Sequence, residues 1–79
     1  MQVKIADIQK ARERLKGIVK ETALDQSYSA SQLLGSQVFL KMENEQLTGS
    51  FKIRGALSKI SSLSSEERAR GVVASSAGN

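Results

Sequence analysis

The sequence contains no cysteine, no histidine, no proline and no tryptophan. Without cysteine, neither a disulfide nor a thiolate metal site can stiffen the chain. Without histidine, Ser-His-Asp triads, imidazole metal sites and the usual near-neutral general base are excluded. Any acid–base chemistry therefore falls to lysine or to a carboxylate. The absence of proline excludes little. Aromatics number only three: Tyr28, Phe39 and Phe51. No apolar run approaches the roughly 20 residues that span a bilayer, and the N-terminus lacks the apolar centre of a secretory signal. A soluble, cytoplasmic protein with no membrane association is expected.

What is present is a basic chain of 79 residues with a formal net charge of +4 and a hydrophobic fraction of 39%. A chain this short buries only about 60% of the surface it exposes when unfolded, so a core of its own would leave it marginally stable. The basic residues run from Lys4 to Arg70 with acidic residues among them. They do not interleave with aromatics as the stacking platforms of a nucleic-acid surface would. Solvated helix faces account for the charge, and no nucleic-acid partner is expected.

Ile5, Ile8, Ala11, Leu15, Ile18 and Val19 follow helical spacing and predict an amphipathic helix of about four turns, with Gly17 as its stop. Thr22-Ala23-Leu24 reads as an extended link. Ser29 to Leu34 reads as a short helix closed by Gly35. Val38 to Met42 is a compact apolar run and predicts a strand. Glu45 to Gly49 reads as a polar loop. Ser50 is a candidate N-cap for a helix reaching about Leu63. Ser64 and Glu67 form a capping box for one more short helix, ended by Gly71. Val72-Val73-Ala74 predicts a second strand, joined to the first by a connection long enough for a parallel crossover. Helices alternate with strands, so the expected class is α/β.

Two segments carry chemical interest. In Thr48-Gly49-Ser50-Phe51-Lys52-Ile53-Arg54-Gly55-Ala56, a lysine follows an aromatic at a helix start. An aldehyde cofactor needs an amine that can form a Schiff base. Desolvation, neighbouring cations and the positive end of a helix all oppose the ammonium form of such a lysine. Phosphate-loop spacing is absent, because Ala56 stands where the loop's lysine should follow Gly55. On these grounds alone, a solvated lysine beside an aromatic explains the pattern better. The second segment is Ser75-Ser76-Ala77-Gly78-Asn79, a small polar turn after an apolar run. Ligands of open α/β sheets bind beyond the carboxyl ends of strands, where backbone N–H groups favour an anion.

The longer context changes the balance. Leu40-Lys41-Met42-Glu43-Asn44, then Gln46, then Thr48 to Ala56 resembles the cofactor-lysine signature of the serine/threonine dehydratases. These are pyridoxal-phosphate enzymes of the second fold type, the tryptophan synthase β-like architecture. Thr22-Ala23-Leu24 is similar to that family's Thr-Pro-Leu, with alanine in place of proline. The terminal Ser76-Ala77-Gly78-Asn79 is similar to its Ser-Ala-Gly-Asn turn.

The resemblance implies that Lys52 carries pyridoxal 5'-phosphate and is the catalytic residue, and that Phe51 lies near the cofactor ring. It implies that Ser76, Ala77 and Asn79 bind the carboxylate of an amino-acid substrate, and that Asn79 also meets the cofactor's phenolic oxygen. No metal is implied. Lys41, Glu43, Asn44, Gln46 and Arg54 are expected to be structural or solvated. Serine racemases resemble this pattern but place a serine at the position of Ala77. Alanine cannot exchange a proton, so dehydration of L-threonine, or of L-serine, is favoured over racemisation. Cysteine-synthase relatives, with a threonine-rich turn, fit less well.

The resemblance covers nearly the whole sequence but only the first quarter or so of a family member. The expected organisation is an incomplete N-terminal portion over residues 1–79. Residues 1–70 would belong to the large cofactor domain and residues 71–79 would begin the small one. The parent would be a homo-oligomer, a dimer or tetramer, acting in amino-acid metabolism such as isoleucine biosynthesis. The reading of another class is a small non-catalytic module that docks through its N-terminal helix.

Overall fold

A computed structural model describes residues 1–77. Four helices and a two-stranded sheet follow one another as α1 (Ile5–Leu15), β1 (Leu24–Gln26), α2 (Tyr28–Leu34), β2 (Phe39–Lys41), α3 (Lys52–Ser61) and α4 (Ser65–Arg70). A single 3-10 turn, Glu43–Glu45, lies between β2 and α3. The expected α/β class is borne out as a mixture of helices and strands.

Helix α1 starts where the Lys4 N–H donates to Asp7 Oδ2 at 2.9 Å, which fills one unpaired position of the first turn. It ends at Leu15, just before the expected stop, so Ile18 and Val19 of the apolar stripe lie outside the helix. The reason is Gly17. Its φ of +78° is left-handed, and the chain there leaves the helical path. Only the C-terminal end of the apolar stripe is covered: Leu15 is buried, Ala11 and Val19 are half-buried, and Ile5, Ile8 and Ile18 are exposed. That end packs on α3, where Arg14 Nη1 also donates to Ser58 Oγ at 3.4 Å.

The strands pair antiparallel, Leu24 opposite Lys41, Asp25 opposite Leu40 and Gln26 opposite Phe39. Flanking bonds extend the ladder at both ends, from Ser27 N–H to Val38 O and from Met42 N–H to Ala23 O. Strand β2 was expected. Strand β1 was not, because Leu24-Asp25-Gln26 has no alternation to betray it. Between them, α2 is capped by Ser27 Oγ, which accepts from the Ala30 N–H at 3.2 Å. It closes on Gly35 at φ +66°, as expected.

Four expectations fail. Ser50 is not the N-cap of α3. That position belongs to Phe51, whose backbone is already helical (φ −73°, ψ −13°) and which makes no side-chain cap bond. Ser50 Oγ instead accepts from the Lys52 N–H at 3.4 Å. The helix also ends at Ser61 rather than near Leu63. Val72-Val73-Ala74 is not a strand. A strand needs a neighbour to take up its hydrogen bonds, and the described residues offer none. Strand β2 is paired with β1 instead, so the parallel crossover is absent among the described residues. The capping box of α4 is as expected: Ser64 Oγ accepts from the Glu67 N–H, and Glu67 Oε1 accepts from the Ser64 N–H. None of the described helices is long and apolar enough to cross a membrane.

Candidate active site

Lys52 is the first residue of α3. It borders an open concavity of about 590 Å³, together with Thr48, Gly49, Ser50, Ile53 and Ala56. The turn before the helix is closed by the Gly49 N–H donating to Gln46 O at 2.8 Å. Gly49 has a φ of +79°, and a Cβ there would meet open space. Glycine is needed at this position for backbone conformation, not for room. Lys52 itself is exposed. Phe51 is exposed too and sits outside the lining of the concavity. Ser76 and Ala77 are exposed and do not line it either. Asn79 lies outside the described residues.

Behind the lysine lies a polar cluster. The Glu43 carboxylate takes both arms of the Arg54 guanidinium: Nε donates to Oε1, and Nη2 to Oε2 at 3.1 Å. Thr22 Oγ1 donates to the same Oε2 at 2.5 Å, and Gln46 Nε2 lies 3.3 Å from it. Gln46 in turn is held by backbone. Its Oε1 accepts from the Lys20 N–H at 2.7 Å, and its Nε2 donates to Lys20 O at 2.8 Å. Lys41 Nζ donates to Thr22 O at 2.5 Å.

Thr22 and Gln46, 7% and 4% exposed, are more deeply placed than nearly every apolar side chain described. The centre of order in this chain is therefore polar. The Arg54 guanidinium holds the Glu43 carboxyl down to about 2, and the Thr22 hydroxyl adds to the effect while burial opposes it. The same pairing raises Arg54, again against burial. Four of the five residues expected to be structural or solvated, Lys41, Glu43, Gln46 and Arg54, take part in this cluster. Thr22 joins it unforeseen. A threonine in an extended link carries no local signal that its hydroxyl meets a carboxylate 21 residues away.

A family model described as pyridoxal-phosphate dependent enzyme matches residues 15–79. The chain belongs to that family. Among similar proteins, the L-threonine ammonia-lyase of Thermotoga maritima is 56% identical over 77 residues, covering 98% of this chain and 19% of the relative. The catabolic L-threonine dehydratase TdcB of Escherichia coli K12 is 51% identical over 77 residues, covering 98% and 23%. A putative threonine dehydratase of Sinorhizobium fredii is 51% identical over 75 residues, covering 95% and 23%. The chain thus spans between 19% and 23% of the length of these relatives.

The pyridoxal-phosphate family membership can be tested against the site. The cofactor's aldehyde requires an accessible primary amine, and the exposed Lys52 beside a concavity supplies one. Thr48 and Ser50 place two hydroxyl-bearing side chains on the concavity's otherwise largely apolar lining. The residues present fit the aldehyde end of the group. Among the described residues, no cluster of three or more His, Cys, Asp or Glu could hold a metal ion.

Proposed function

We propose that the intact protein is a pyridoxal-phosphate-dependent ammonia-lyase that converts L-threonine, or L-serine, to a 2-oxo acid and ammonia. The observation that carries this reading is Lys52. It opens α3 at the edge of a concavity, inside a sequence 56% identical to a threonine ammonia-lyase.

In this reading the Lys52 amine would hold the cofactor's aldehyde end, and its Nζ would take the proton from the substrate Cα. When bound, the cofactor supplies a conjugated system that spreads the negative charge left on Cα. The β-hydroxyl leaves as water, and a water molecule re-enters as the amine departs as ammonia. Threonine gives 2-oxobutanoate and serine gives pyruvate.

Phe51 would pack beside the cofactor, Ser76, Ala77 and Asn79 would take the substrate carboxylate, and Asn79 would also help to hold the cofactor. Alanine at position 77 offers no proton to the far face of Cα, which favours elimination over racemisation. Residues 1–70 form part of a large domain and residues 71–79 begin a small one. The intact protein is a homo-oligomer in the cytoplasm. The catabolic designation of one relative favours a degradative role over isoleucine biosynthesis.

Borohydride reduction of the holoenzyme followed by peptide mapping tests the reading. The label is expected on Lys52, and Lys52→Ala is expected to lose both the label and threonine turnover. Labelling at another lysine, or turnover retained in Lys52→Ala, would overturn it. Racemised serine in place of 2-oxo acid would move the protein to the racemase branch.

A further inference from the structure

Glu43 has no part in that chemistry, yet Thr22, Gln46 and Arg54 all converge on its carboxylate. Successive residues of a helix turn by about 100°, so residues two apart point about 200° apart. Lys52 and Arg54 therefore leave the first turn of α3 on opposite sides. Arg54 is fastened behind the helix by a two-armed pair, a geometry that fixes orientation as well as distance. Glu43 cannot swing away freely, since Gln46 is locked to both the N–H and the carbonyl of Lys20. The helix start has little else to hold it, because Phe51 makes no side-chain cap bond and the Ser50 contact is 3.4 Å long.

We propose that Glu43, backed by Thr22 and Gln46, is a positioning residue that clamps Arg54, sets the rotation of the first turn of α3 and so aims Lys52 at the concavity. This rests on Lys52 being the cofactor lysine. It adds that the lysine's direction is set from the far side of its helix, by residues that touch neither cofactor nor substrate.

The test uses the intact holoenzyme with Glu43→Gln, Arg54→Lys and Thr22→Val beside the unaltered protein. Glu43→Gln keeps shape and removes the charge. Borohydride should still label Lys52 in it. The KM for threonine should shift by less than about threefold while kcat per bound cofactor falls about tenfold to a hundredfold, the effect of a misaimed reacting group. The visible circular dichroism of the bound cofactor should change as well. Arg54→Lys, which keeps the charge but not the fork, should give an intermediate loss.

A folded Glu43→Gln protein with unaltered kcat per bound cofactor and unaltered circular dichroism overturns the proposal, even if fewer sites are loaded. If Glu43→Gln does not fold, Arg54→Lys and Thr22→Val decide, and unaltered kcat in both overturns it. Absence of label from Lys52 in the unaltered protein would sink the functional reading instead, so the two failures are distinguishable.

Discussion

Glu43 shows how a few side chains can organise a chain with almost no core. Its carboxyl sits near 2 in the folded protein, against an ordinary value of 4.5, chiefly because Arg54 donates to it and Thr22 adds a second bond. A folded value below the unfolded one means that the ionised form favours folding. The contribution is complete above about 4.5 and is lost as the pH falls from there towards 2. Denaturation midpoints of the intact protein and of Glu43→Gln should therefore differ most near neutrality, and the gap should narrow from about pH 5 to about pH 2.5. A gap that stays constant across that window would show that the carboxylate is not held by these partners. The signature around Lys52 was plain in the sequence because it is contiguous. The Glu43 cluster was not, because its members stand at positions 20, 22, 41, 43, 46 and 54, and no periodicity links them.

At the scale of elements, local chemistry decided what could be read. Helices α2 and α4 were legible because each carries its own start and stop. Ser27 and Ser64 each accept a backbone N–H three residues on, and Gly35 takes a left-handed φ of +66° at the end of α2. In α4 the Glu67 carboxyl is held below its ordinary value, first by the Ser64 N–H and then by the Ser64 hydroxyl, so the box is closed from both sides. Ser64→Ala should cost the intact protein about 1 kcal/mol. Gly35→Ala should cost about 1–2 kcal/mol from backbone conformation, since its Cβ would meet nothing within 4 Å. Amide exchange read at α2 and α4 checks both, each loss appearing in its own helix. Unchanged protection would mean that tertiary packing, not the caps, sets these ends. The strands were less legible for the same reason. A strand is defined by its partner, so Leu24-Asp25-Gln26 became one by meeting β2, and Val72-Val73-Ala74 did not for want of a neighbour.

At the scale of the whole molecule, surface is the telling quantity. The chain has a radius of gyration of 16.1 Å, whereas a compact domain of this length has about 12 Å. It exposes 6843 Å², about 2,100 Å² more than the roughly 4,700 Å² of a folded monomer of this mass. Ile5, Ile8, Leu33, Leu34, Leu47, Phe51 and Val73 are among the residues left open, and Leu15 is the one buried apolar side chain described. So much open apolar surface leaves the arrangement of α1, α3 and the β1–β2 pair without a core of its own to hold it. Residues 1–79 expressed alone should accordingly be disordered or aggregate, with poorly dispersed amide signals, no cooperative thermal transition and no threonine turnover with added pyridoxal phosphate. A cooperative melt of the isolated segment would mean that the polar cluster around Glu43 stabilises far more than its exposure allows.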